Sequence, residues 1–177
     1  MPLLYGHDEA VANFVSQLLF GDDRSFGNCR AIGVVDADGK LIGGVVYHNY
    51  QPEAGTIELS SAATTPRWLN RLVLHAIFAY PFEIGCQMAL MRVSARNTRL
   101  HRQFDVLGLR RHPIPRLYGR DEDGIIFTLT DDDWSTWRFK RRQDNLQRSR
   151  AITSRSDADG IGPDGLEHRD RDSPTGS

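Results

Sequence analysis

The sequence predicts an α/β (α+β) fold, a mixed and mostly antiparallel central sheet with helices on both faces. Three observations predict it. β-Branched runs come first and are joined by tight-turn signals, which makes hairpins. Later apolar runs alternate with segments of helical period, which adds crossover connections. The chain of 177 residues, 40% hydrophobic and 25% charged, is long enough for one domain with a core and too short for two full ones.

The elements follow in order. His7 or Asp8 can cap a helix in which Val11, Phe14, Val15, Leu18 and Leu19 recur at helical spacing, ending near Gly21. The runs CRAIGVVD and KLIGGVVYHNY then form a hairpin through Asp36-Ala37-Asp38-Gly39, whose Asp-Gly pair supplies the positive φ of a tight turn. After a turn at residues 52–55, TIELSSAA gives a third strand with Ile57 and Leu59 on one face and Glu58 and Ser60 on the other.

Thr64-Thr65-Pro66 is expected to open a helix, with threonine as cap and proline in the first turn. Leu69, Leu72, Val73, Ala76 and Ile77 would form its apolar side, and Pro81 would stop or kink it. QMALMRVS reads as a strand covered on both faces. Asn97 caps the next helix, with Leu100, Phe104 and Leu107 as its apolar residues and Gly108 as its end. RRHPIPRLYGR and DGIIFTLT supply two more strands around a charged turn, and TDDDWSTW starts a last short helix.

Composition divides the chain into a folded domain over 1–137 and a tail over 138–177. Beyond Arg138 the large apolar residues thin out to Phe139, Leu146, Ile152, Ile161 and Leu166 among Arg, Asp, Ser and Gly. Such a segment buries too little surface to offset its ordering entropy, so most of it is expected to be disordered. Its charge is polarised, with seven positive and one negative residue over 138–155 and two positive and six negative over 156–177.

The net charge of -1 hides a similar segregation inside the domain: Arg67 to Arg120 holds ten Arg and two acids. A basic half of this kind faces an anion, either a nucleotide cofactor or a nucleic acid reached through the Arg-rich face and the basic arm. Cys29 and Cys86 have no metal-type spacing and read as apolar fillers in a reducing compartment. No window has the length of a membrane span, and the N-terminus lacks the pattern of a signal peptide, so a cytoplasmic protein is expected.

Several short motifs carry a family resemblance. Tyr80-Pro81-Phe82-Glu83 closes the central helix, Asn97 begins the next and Leu107-Gly108-Leu109 ends it. Gly119-Arg120-Asp121, IIFTLT and Asp133-Trp134 follow. In order and spacing, over about a hundred residues, the chain resembles the GNAT superfamily of N-acetyltransferases. It is most similar to the branch that acetylates N-terminal amines of ribosomal proteins. The resemblance implies acetyl-CoA as co-substrate and an amine of a protein or small molecule as acceptor. It also implies a cofactor site over Ala62, Ala63, Thr64, Arg67, Trp68, Leu69, Asn70 and Arg71, with Asn97 and Phe104 from the following helix.

That site departs from the family pattern. GNAT enzymes cradle the CoA pyrophosphate on a loop of the form Arg/Gln-x-x-Gly-x-Gly/Ala, where glycine lets backbone N-H groups approach phosphate. Counting back from Tyr80 sets Pro66 and Trp68 near the glycine places, leaving Arg67 and Arg71 to supply charge. For chemistry, the acceptor ammonium must lose a proton and the leaving thiolate must gain one. Glu58 is the first candidate base and His48 the second. The tyrosine that many family members use as acid is replaced by Phe104, which leaves Tyr118 as the substitute. A non-catalytic module of the same fold is the alternative these departures raise.

Overall fold

The computed structural model describes residues 2–137, which lie within one compact unit. The expected tail over 138–177 falls outside the described residues. Within them runs a seven-stranded sheet in the order β1-β2-β3-β4-β5-β7-β6. Its strands are β1 (Leu3–Leu4), β2 (Arg30–Val35), β3 (Leu41–Gln51), β4 (Thr56–Ala63), β5 (Met88–Ser94), β6 (Arg110–Ile114) and β7 (Gly124–Thr130). The helices are α1 (Asp8–Phe20), α2 (Arg71–Glu83), α3 (Thr98–Leu107) and α4 (Asp131–Thr136). Every strand pair is antiparallel except β4 with β5.

Helices cover both faces. Val11, Ala12 and Val15 of α1 pack with Ala31 and Val46 on one side. On the other, Val73, Leu74, Ile77 and Phe78 of α2, Phe104 and Leu107 of α3 and Trp134 of α4 share a core with Ile57, Leu59, Met91, Phe127 and Leu129. The glycine pair of β3 makes this double coverage possible. A Cβ on Gly44 would lie 2.7 Å from Val11 of α1, and one on Gly43 would lie 2.6 Å from the Trp68 indole on the opposite face.

Several expectations are corrected. Thr65 and Pro66 do not open the central helix. Thr65 caps a single 3-10 turn over Pro66–Trp68, and α2 begins at Arg71 with the Asn70 side chain accepting from the Val73 N-H at 3.0 Å. Leu72, expected on the apolar side, is 57% exposed, because the buried face runs through Val73, Leu74, Ile77 and Phe78. Pro81 does not stop α2, which continues to Glu83 because a proline in the last turn removes only one helical hydrogen bond. His7 stands at the α1 cap without a side-chain bond, and Leu18 and Leu19 are exposed. β5 is not covered on both faces, since Arg92 breaks its apolar run and reaches solvent. The short β1 was not legible, being two residues that pair with Gly33 and Val34.

Candidate active site

The sheet parts between its two parallel strands. β4 and β5 pair only at Thr56–Met88, Ile57–Ala89 and Glu58–Leu90. Beyond Glu58, β4 stays with β3 as far as Ala63–Gly43, while β5 follows β7 as far as Ser94–Gly124. The inner edges of residues 59–63 and 91–94 therefore carry backbone N-H and C=O groups with no partner strand among the described residues. Buried backbone polar groups are nearly always paired, so such an edge is built for water or for a ligand that carries amides.

A groove of about 360 Å³ opens at this divergence. Its walls include Leu59, Ser61, Ala62 and Ala63 of β4, Met91 of β5, Leu74 and Phe78 of α2, and Leu100, Gln103 and Phe104 of α3. The small Ser61, Ala62 and Ala63 leave it room. Thr64, Pro66, Trp68 and Leu69 line its mouth. It continues past Leu69, Leu74, Gln103 and Leu107 into a depression bordered by Asn70, Arg71 and Arg102.

The start of α2 sits at that mouth. Arg71 and Leu72 are its first residues, and the N-H groups of a first turn have no intrahelical acceptor. Asn70 is the cap; Pro66 and Trp68 lie in the preceding turn and not where the helix presents its N-H groups. The Trp68 side chain instead packs on Gly43 and forms a groove wall. Arg71, Arg99 and Arg102 border the two cavities and have no ion-pair partner among the described residues. Arg92, Arg96, Arg110 and Arg111 are paired with acids, so much of the basic excess read from the sequence is either neutralised locally or gathered at this mouth.

α3 is held against the groove by specific bonds. Asn97 Oδ1 accepts from the Leu100 N-H at 3.1 Å, and the His101 ring bonds the Ser94 carbonyl at the end of β5 at 2.9 Å. Asn97 thus acts as the expected cap and does not line the groove. Phe104 does, and it packs edge-on against Phe127 with centroids 5.0 Å apart. Arg67 lines neither cavity.

A polar cluster gathers where β4 and β5 separate. Glu58 is 8% exposed and is held at both oxygens: Arg92 Nε donates to Oε1 at 2.6 Å and Asn49 Nδ2 to Oε2 at 2.9 Å. Asn49 reaches it from a bulge in β3, in the left-handed region at φ 49°. A non-glycine residue there is uncommon and marks a locally imposed geometry. His48 lies directly across from Glu58 in the β3–β4 register, shares a 2.9 Å hydrogen bond with Ser60 Oγ and packs against the Phe26 ring. Burial lowers its pKa below the ordinary value, with Glu58 opposing and Arg92 reinforcing the shift. It is therefore neutral at neutral pH. Tyr118, in the β6–β7 connection, feels Arg92 and Glu58 electrostatically, and burial raises its pKa. His48 and Glu58 are thus neighbours across the β3–β4 register, with Tyr118 near enough to feel the Glu58 charge, and none of the three lines the groove.

Sequence reasoning missed Arg92, Asn49, Arg99, Arg102 and Gln103. Arg92 had a signal, being the one charge inside an otherwise apolar strand, and Arg99 with Arg102 had another in their one-turn spacing. Asn49 had none, because a bulge is fixed by strand pairing.

No protein-family model matches this chain, and no curated protein matches it. Solved structures do. A spermidine N-acetyltransferase SpeG chimera from Vibrio cholerae and hSSAT superposes with a TM-score of 0.63 at 15% identity, covering 76% of this chain and 98% of that one. A protein of Acinetobacter baylyi ADP1, provisionally assigned as an acetyltransferase, gives 0.59 at 16% identity over 74% of this chain and 92% of its own. The spermidine/spermine N-acetyltransferase SpeG from Vibrio cholerae in complex with manganese ions gives 0.58 at 14% identity, over 75% and 94%. This chain has the GNAT fold of these acetyltransferases.

Proposed function

We propose that this protein is an N-acetyltransferase that moves acetyl from acetyl-CoA to a primary amine by direct attack. The observation that carries the reading is the parting of β4 and β5, with an apolar groove running from that gap to the start of α2. A pantetheine arm is a narrow chain with two amides, which suits a slot lined by unpaired strand edges. The pyrophosphate belongs at the α2 N-terminus, with Arg71 and Arg102 beside it, since N-H groups, helix dipole and guanidinium all favour an anion there. Arg67-Trp68-Leu69-Asn70-Arg71-Leu72 keeps the Arg-x-x-Gly-x-Gly/Ala spacing, with Asn70 and Leu72 in the glycine places.

The cluster at the divergence supplies the proton transfers. His48, neutral and hydrogen-bonded, accepts the proton of the acceptor ammonium, and the Glu58 charge beside it stabilises the imidazolium that results. The freed lone pair attacks the thioester carbonyl, whose developing oxyanion finds backbone N-H groups along the strand edges. The C-S bond then breaks, and the thiolate takes a proton. Phe104 has none to give; Tyr118, kept protonated by its raised pKa, is the phenol assigned to that step.

The test is calorimetric titration of the full chain with acetyl-CoA, joined to release of free CoA thiol with a panel of amines. Micromolar binding with amine-dependent thiol release supports the reading. Binding without release from any amine would favour the non-catalytic alternative, which the apolar Phe104 in the groove wall suggests.

A further inference from the structure

Arg92 is bound in an unusual way for a surface arginine. Its Nε donates to Glu58 Oε1, and neither terminal Nη nitrogen has a partner among the described residues. The side chain is 48% exposed, while the carboxylate that holds it is 10% exposed. Arg92 is therefore anchored at its inner nitrogen, with the outer edge of its guanidinium turned to solvent. Two Nη donors on one planar edge match the two oxygens of a carboxylate.

Its anchorage is built from several directions. Glu58 comes from β4, and its second oxygen is fixed by Asn49 in a left-handed bulge of β3. Arg92 itself stands two residues beyond Leu90, the last β5 residue paired with β4. That is the point where the strands separate, beside His48 and Tyr118. The next acid, Glu122, is already engaged by Arg96 at 3.6 Å and by Ser94. It does not compete for the free edge.

From this arrangement we infer that Arg92 reads a carboxylate of the acceptor, so that the acceptor is a zwitterionic amino acid whose amine lies within two or three bonds of that group. The inference rests on the proposed transferase reading for the amine's fate, and on the Arg92 geometry for the anion. Glu58 and Asn49 are positioning residues for the guanidinium. His48 of β3 and the Arg92 guanidinium of β5 flank Glu58 on the strand between them, so an amine hydrogen-bonded to one and a carboxylate to the other suit a short molecule such as an α-amino acid.

The experiment compares L-phenylalanine, L-phenylalaninamide and phenethylamine as acceptors for the full chain, on wild type and Arg92→Lys. Lysine can keep the ion pair to Glu58 but has no second edge to offer. The expected result is a kcat/KM for L-phenylalanine at least about tenfold above both neutral analogues, as a charge-assisted pair would give. Arg92→Lys should bring that ratio toward one by lowering the amino-acid value more than either neutral value, whatever its effect on the His48 base common to all three acceptors. Equal rates for the three acceptors, or an unaltered ratio in Arg92→Lys, would overturn it.

A binding arm needs no turnover: titration of the protein, alone and with CoA added, with N-acetyl-L-phenylalanine against N-acetylphenethylamine. Acetyl-CoA binding with no preference for the carboxylate would sink the Arg92 assignment and leave the transferase standing. Arg92-dependent carboxylate binding in a protein that binds no acetyl-CoA would sink the transferase and leave the anion site. Absence of both would remove both.

Discussion

The Tyr47 hydroxyl donates to the Ile77 carbonyl at 2.8 Å, and that carbonyl is the one Pro81 leaves without its helical donor. A strand side chain therefore replaces the missing N-H of a helix, and this explains how α2 runs through a proline without a stop. Tyr47 is 2% exposed, so the bond is made in the core. Its burial also pushes the phenol pKa well above its ordinary value, which keeps the donor protonated.

Tyr47→Phe should cost about 1–3 kcal/mol, the penalty of a buried unsatisfied carbonyl. In a Pro81→Ala background the alanine N-H can serve Ile77 instead, and the same substitution should cost less. Urea unfolding of the four proteins of the double-mutant cycle measures that coupling. Equal costs in both backgrounds would show that the bond does not compensate the proline.

Gly43→Ala should disturb the groove from behind. Its Cβ would fall 2.6 Å from Trp68 Cε3, and the indole would have to move off β3 into the mouth it lines. Overpacking of this kind costs about 1–3 kcal/mol. Loss of stability together with weakened acetyl-CoA binding is expected in calorimetry, whereas unchanged affinity would mean that Trp68 does not border the cofactor.

His48 gives a pH signature whose sign is fixed. Its folded pKa lies below the unfolded value of about 6.5, so the unfolded chain binds more protons in the interval between them. The His48 contribution to stability is intact above the unfolded pKa. It falls as pH drops from there toward the depressed value, and is constant below it. Chemical denaturation from pH 7.5 downward should show a smaller acid loss in His48→Gln than in wild type, and parallel curves would remove the buried imidazole as the cause. The rate of acetyl transfer should fall through the same folded pKa.

Arg71→Ala/Arg102→Ala should weaken CoA binding by about tenfold or more, the worth of charge-assisted contacts to phosphate. Arg67→Ala should change it little, since Arg67 lines neither cavity. Calorimetry on the three proteins at two salt concentrations checks both, and a large loss in Arg67→Ala alone would relocate the phosphate site to the preceding turn.

The order of elements from α1 onward, the Asp-Gly hairpin, the Asn97 cap and the Gly108 stop were legible in the chain, because each rests on signals within a few residues. The helix αL cap at Gly108, with φ 82°, is a property of glycine before it is a property of the fold. Glu58 and the Ala62–Ala63 run enter as candidates through the family resemblance, and His48 as the histidine of the adjacent strand. Where the sheet opens depends on long-range packing. The start of α2 lies at Arg71, five residues beyond Pro66: Thr65 caps only a 3-10 turn, whose Trp68 packs on Gly43, and Asn70 caps the helix itself. The β4–β5 gap, the Asn49 bulge and the free edge of Arg92 all depend on which strand each neighbour pairs with, and long-range pairing leaves no local trace in the chain.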